Sequence, residues 1–202
     1  MIFCPTPTRL KLNYTFHMCI HTYPKQKQPL SIGQFIFTYS APDADTHYAL
    51  EKAHNYIQWL FPIGDISKAT GAKGITAEDL NKIKASDTCK TNIIKALKIM
   101  LRFWGGTLEY TQGTWSISNS RDVQERLTNL KENPHNNRRI SRVISCLVLI
   151  GKTDVARAVL DFFTKHVNEN KIWEKTDTSG PLWHWKNAMN ASLPARATSE
   201  TT

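Results

Sequence analysis

Between Asn133 and His166 the chain carries two apolar stripes at helical spacing, broken by one glycine. Ile140, Val143, Ile144, Leu147 and Ile150 form the first; Val155, Val159, Phe162, Phe163 and His166 form the second. Residues three and four apart share a helix face, so each stripe predicts an amphipathic helix that needs a partner. Gly151 ends the first helix and Thr153 caps the second, leaving two or three residues for the connection. A link that short forces antiparallel neighbours, so a helical hairpin is predicted here.

The same period recurs upstream. Asp45 or Thr46 can cap a helix with the stripe Leu50, Ala53, Ile57, Leu60 and Phe61, ended by Pro62. TAED from Thr76 is a capping-box pattern for a short helix to about Ala85. Asp87 opens a longer helix with Ile93, Ile94, Leu97, Met100, Leu101 and Trp104 on its apolar face, stopped by Gly105 and Gly106. Lys95, Lys98 and Arg102 make a basic stripe on its other side. Asp122 starts a helix with Val123, Leu127 and Leu130, and Asn133 with Pro134 starts the next, cap before proline. Pro181 opens a last short helix with Trp183 and Trp185.

GQFIFTYS at 33–40 reads as an extended arm laid on the core. LEYTQGTWSISN at 108–119 alternates around Gly113 and allows a small hairpin. The expected fold class is all-α: one helical domain of about six helices over 35–190, an irregular basic N-terminal leader over 1–34, and a disordered tail over 191–202.

A chain of 202 residues can bury a sizeable core without disulfides or metal. Its net charge is +9, but residues 1–40 hold Arg9, Lys11, Lys25 and Lys27 with no acid, so the rest carries only +5. An excess that mild argues for a solvated surface before a nucleic-acid track. Cys4, Cys19, Cys89 and Cys146 match neither a CxxC site nor a compact disulfide framework. They point to a reducing, intracellular setting, cytoplasm or nucleus. No apolar run approaches the ~18 residues of a membrane span, and prolines interrupt any secretory signal at the N-terminus. The acid-free leader has one feature of an organelle transit peptide, but its single arginine argues against one. His17, Cys19 and His21 alternate in HMCIH, yet a fourth ligand at zinc spacing is missing, so no metal or other cofactor is expected. No GxSxG, HExxH, Gly-rich phosphate loop or Cys–His signature occurs, and the chain does not read as an enzyme.

Two polar clusters stand out against this background. AHNYIQWLFP at 53–62 places His54, Asn55, Tyr56, Gln58 and Trp59 on an apolar element. NPHNNRRISR at 133–142 places His135, Asn136, Asn137, Arg138, Arg139 and Arg142 at a helix start. Buried polar side chains need partners. The two His-Asn elements are therefore expected to meet, with His54, Asn55, Asn136 and Asn137 as a structural network. In the functional form of this reading, Tyr56, Trp59, His135, Arg139 and Arg142 line a groove. Arg139 and Arg142, three residues apart, would clamp a ligand carboxylate or phosphate.

HNYIQWLFP at 54–62 resembles the signature of the opioid growth factor receptor conserved region. RDVQERLTNLKENPHNNRRISRVISCLVLIG at 121–151 is similar to a second stretch of that family. KALKIMLRFWGG at 95–106 resembles a helix end of the family, with Trp104 where the family has tyrosine, and FTYSAPD at 37–43 resembles its N-terminal aromatic element. The resemblance implies a non-catalytic binding domain with a peptide or protein partner. By the family name, it implies receptor activity toward an enkephalin-type opioid growth factor peptide, and growth regulation. The residues alone leave a second reading open, a basic helical module binding nucleic acid or protein. The helical hairpin would then act as a helix-turn-helix. Its second helix offers only Arg157, Lys165 and His166, so the stripe over 95–102 would have to carry the phosphate contacts.

Overall fold

The computed structural model describes residues 32–40, 43–53, 56–64, 74–170 and 180–192. In chain order they form α1 (Ile32–Thr38), α2 (Ala44–Lys52), α3 (Ile57–Leu60), α4 (Ala77–Ala85), α5 (Asp87–Phe103), β1 (Gly106–Thr111), β2 (Thr114–Asn119), α6 (Val123–Glu132), α7 (His135–Leu149), α8 (Thr153–Asn170) and α9 (Pro181–Ala188). The protein is mostly helical but not all-α, because β1 and β2 pair as a two-stranded sheet. The helix count among the described residues is nine, against about six expected. His17, Cys19 and His21, and the tail from residue 193, lie outside the described residues.

The predicted hairpin is α7 and α8. Its turn is a Schellman motif: Lys152 N–H donates to Leu147 O at 2.8 Å and Gly151 N–H to Val148 O at 3.0 Å. Gly151 has φ +80°, which only glycine adopts without strain. Ile140, Val143, Ile144, Leu147, Val155, Val159 and Phe163 are fully buried, each such side chain contributing roughly 1.5–3 kcal/mol. Trp104, at the end of α5, meets Phe163 edge-on at 6.0 Å, and Trp185 of α9 reaches the same ring at 5.3 Å. Pro181 sits in the first turn of α9, as the sequence predicts. Cys146 is buried among these groups and its thiol is pushed up to about 12, consistent with a small hydrophobe.

Several local expectations are corrected. The arm over 33–40 is helical from Ile32. Phe35 and Tyr39, one turn apart, bring their rings to 4.7 Å, and Phe35 stacks on Tyr56 at 5.6 Å. An extended arm would hold the first two rings roughly 13 Å apart. The single helix expected from Asp45 to Phe61 is broken: Ala53 is extended (φ −83°, ψ 125°), and only one turn re-forms as α3. The N-cap of α2 is Asp43, which accepts from Thr46 N–H at 2.7 Å. The N-cap of α5 is Ser86 and not Asp87, since Ser86 Oγ accepts from Cys89 N–H at 3.2 Å. Pro134, not Asn133, occupies the cap position of α7. The capping box of α4 is present, with Thr76 Oγ1 accepting from Asp79 N–H at 3.1 Å and Asp79 Oδ2 accepting from Thr76 N–H at 2.9 Å.

The sheet is a hairpin over residues 106–119, closed by Gln112 (φ 51°) and Gly113 (φ 81°). Both central residues at positive φ make a type I′ turn, whose twist matches the strands. Gly106, Leu108, Ile117 and Asn119 alternate onto one face of the ladder, the face toward α8. A Cβ on Gly106 would lie 2.8 Å from Ile117 Cγ2 and 3.2 Å from Phe162 Cζ, so glycine permits this approach. Asn119 Oδ1 lies 3.0 Å from Nε2 of His166, a residue only 2% exposed that also packs edge-on against Phe162.

Burial holds the His166 imidazole below its ordinary pKa near 6.5, despite the opposing pull of Glu169. Burial, helped by the Arg126 charge, does the same to His47. Both rings are therefore neutral in the fold at a pH where the unfolded chain already binds protons. Their contribution is complete above pH 6.5 and lost as pH falls below it. The thermal midpoint should drop between about pH 7.5 and about pH 5.5, and His166→Gln should shrink that drop. A midpoint that rises on acidification, or a slope untouched by His166→Gln, would contradict this assignment.

Candidate functional site

Helix α2 ends against the first two turns of α7, and the contact is polar. Arg139 follows Asn136 by three residues and precedes Ile140, so it lies on the buried side of α7. It is 5% exposed. Its Nη1 donates to Leu50 O at 3.2 Å and to Asn136 Oδ1 at 2.9 Å, and its Nη2 donates to Ala53 O at 2.6 Å. Leu50 and Ala53 supply carbonyls from the end of α2, which no helical N–H follows to satisfy. A guanidinium there also meets the negative end of the helix dipole. Its Cζ lies 5.1 Å from the centroid of the Tyr56 ring, a cation–π contact. Tyr56 is buried, and its hydroxyl donates to Leu50 O at 3.1 Å. Burial raises the phenol pKa well above its ordinary value, so it remains a donor.

Charge also passes in the opposite direction. Glu51, on α2, accepts from Asn129 Nδ2 at 2.8 Å and from Asn136 Nδ2 at 3.1 Å on one oxygen. Its other oxygen is 2.6 Å from His135 Nε2. The carboxylate thereby sits at the first turn of α7, where free N–H groups favour an anion. Asn136 has no exposed surface and joins the two halves: its Oδ1 also takes Trp104 Nε1–H at 3.4 Å. Asn133 Nδ2 extends the chain of bonds to Asn129 Oδ1 at 2.9 Å.

The structure thus brings together Tyr56, His135, Asn136 and Arg139, all singled out by the sequence. Arg139 does not project as one arm of an anion clamp; its forks are engaged on the backbone of α2. Arg142 is half-buried one turn further along α7. Trp59 is half-buried on α3, which packs against α7. Asn137 is half-buried, and its carbonyl accepts from Trp185 Nε1–H at 3.0 Å. His54 and Asn55 lie outside the described residues. Glu51, Asn129 and Trp104 were missed as partners. Glu51 had one available signal, being the only carboxylate between Asp45 and Asp65, beside Leu50 on the apolar stripe.

Two buried acceptors are left over at the α3–α7 junction. Among the described residues nothing donates to Gln58 Oε1 or to Asn137 Oδ1. Leaving such an atom unpaired costs about 1–3 kcal/mol. On α8, the second helix of the proposed helix-turn-helix, His166 is buried and bonded to Asn119, so it is not available to read bases. Among the described residues no group of three or more potential metal ligands occurs, and no helix is long and apolar enough to cross a membrane.

The family model for the opioid growth factor receptor (OGFr) conserved region matches residues 9–180. The chain belongs to this family. Its matched relatives include the rat opioid growth factor receptor, 33% identical over 119 residues, or 59% of this chain and 20% of the rat protein. The human receptor is also 33% identical over 119 residues, covering 17% of its length. The opioid growth factor receptor-like protein 1 of Xenopus tropicalis is 34% identical over 102 residues, or 50% of this chain and 20% of that protein. The chain thus matches about a fifth of these longer family members. No solved structure matches it.

Arg139→Lys keeps the charge but cannot fork between Leu50 and Ala53. It should lower the free energy of urea unfolding by about 2 kcal/mol, and Arg139→Met by about 3 kcal/mol or more, since both leave buried carbonyls unpaired. Lysine or methionine at wild-type stability would show that the guanidinium bonds do not hold the fold.

Proposed function

We propose that this opioid growth factor receptor family domain is a non-catalytic binding module for a peptide, taken up where α3 meets α7. The relatives' names describe receptors for a growth factor, and an enkephalin-type peptide is the ligand class the family name suggests. The single observation that carries the reading is a pair of buried acceptors on two packed elements, Gln58 Oε1 and Asn137 Oδ1, that have no donor among the described residues. A peptide offers backbone N–H donors at short intervals and would satisfy both as the α3–α7 junction opens to admit it, since both oxygens are closed to solvent here. Trp59, half-buried on the same turn as Gln58, supplies an aromatic surface, and Arg142 a positive charge for a ligand carboxylate. Arg139, Tyr56, Asn136 and the Glu51–His135 pair hold the two elements in place rather than touch the ligand.

The test is a titration of the full chain with an enkephalin-type pentapeptide, read by tryptophan fluorescence and calorimetry, with Trp59→Phe to assign the signal. Gln58→Leu and Asn137→Leu should each weaken binding about fivefold to tenfold, one hydrogen bond apiece. Neither should lower stability, because an unpartnered buried acceptor is being replaced by an apolar group of similar size. No heat and no fluorescence change at saturating peptide would refute the proposal. So would a large loss of stability in both leucine variants, which would mark the two amides as structural.

A further inference from the structure

We propose a second surface, independent of the α3–α7 junction: the outer face of α5 docks an acidic peptide segment of a partner protein. Thr88, Thr91, Lys95, Lys98 and Arg102 recur at three- and four-residue steps and are all exposed. They form one continuous stripe along the helix. The only acid within α5 is Asp87, already paired with Lys90 at 2.8 Å. Among the described residues no carboxylate pairs with Lys95, Lys98 or Arg102. Arg102 is positioned: its Nη1 donates to Ser40 O at 3.0 Å, which ties the end of α5 to the segment just after α1. One turn before Ser40, and linked to it by a Ser40 Oγ–H bond to the Phe37 carbonyl at 3.1 Å, stands Phe37. That phenyl ring is 85% exposed on α1, a helix packed against α5.

Charge complementarity and size select the occupant. From Lys95 to Arg102 the helix rises about 10 Å, the reach of three or four extended residues. Carboxylates at alternate positions of such a segment fall ~6.6 Å apart and can address the stripe in turn. An exposed phenyl ring at one end asks for an apolar side chain beside the acids. Nucleic acid fits less well. Non-specific affinity grows with the number of neutralised phosphates, and this short stripe offers only the cations Lys95, Lys98 and Arg102. A phosphate track also leaves Phe37 without a role.

The experiment follows the fluorescence anisotropy of a fluorescein-labelled peptide of alternating glutamate and serine with one leucine, added to the full chain at low salt. Lys95→Glu with Lys98→Glu should weaken binding at least about tenfold, and Phe37→Ser about threefold. Both variants change exposed side chains, so their thermal midpoints should match the parent. Gln58→Leu should leave this binding unchanged, which separates failure here from failure at the α3–α7 junction. The proposal is overturned if the acidic peptide does not bind, or binds the double variant as well as the parent. It is equally overturned if a labelled oligonucleotide binds more tightly through the same lysines with Phe37→Ser inert, which would make the stripe a nucleic-acid contact.

Discussion

The guanidinium of Arg139 finishes a helix that it does not belong to. The last carbonyls of α2 have no helical donors, and Arg139 provides them from α7 while Tyr56 covers its face. In return α2 sends Glu51 to the first turn of α7, where Asn136 and His135 receive it. Each helix end thus meets the opposite charge from its neighbour, the arrangement that the backbone dipoles favour. Asn136 makes the exchange one unit, accepting from Arg139 and Trp104 while donating to Glu51. A buried charge left without such partners would cost several kcal/mol, so the members of this network depend on one another.

That dependence separates what holds the domain together from what can meet a ligand. The apolar core of α5, α7, α8 and α9 would tolerate α2 at several angles, because hydrophobic burial has no direction. The Arg139 forks have direction, and they fix where Ala53 turns and hence where α3 and Trp59 lie relative to α7. Residues that at first look catalytic or ligand-clamping, an arginine, a histidine and a carboxylate within one cluster, are here the positioning layer. In the proposed peptide-binding reading, recognition falls instead to half-buried side chains carried by the elements they position: Gln58, Trp59 and Asn137.

Much of this was legible in the sequence because helices announce themselves by period. The stripes of α5, α7 and α8, the capping box at Thr76 and the glycine stop at Gly151 were read correctly from spacing alone. Two of the errors have one cause, tertiary contacts acting across the chain. Nothing local says that Ala53 breaks the helix; the acceptors it frees are satisfied by Arg139, 86 residues away. Likewise Phe35 and Tyr39 alternate in a way that suits a strand as well as a helix until the ring of Tyr56 decides. The β1–β2 hairpin was visible as alternation around Gly113, but Gln112 at positive φ is not the residue a type I′ turn advertises. The burial of Arg139 was legible in principle. Asn136, Arg139, Ile140 and Val143 share one face of α7, and an arginine on such a face is a buried staple before it is a ligand contact.

The most direct test is native-state hydrogen exchange on α2 and α7, compared between the parent protein and a variant lacking the Arg139 fork. The account predicts that the amides of α2 open together with those of α7, at nearly the same free energy, and that removing the fork drops α2 into local opening. If α2 already exchanges by cheap local fraying in the parent while α7 stays protected, the network is not what joins them, and the central claim is wrong.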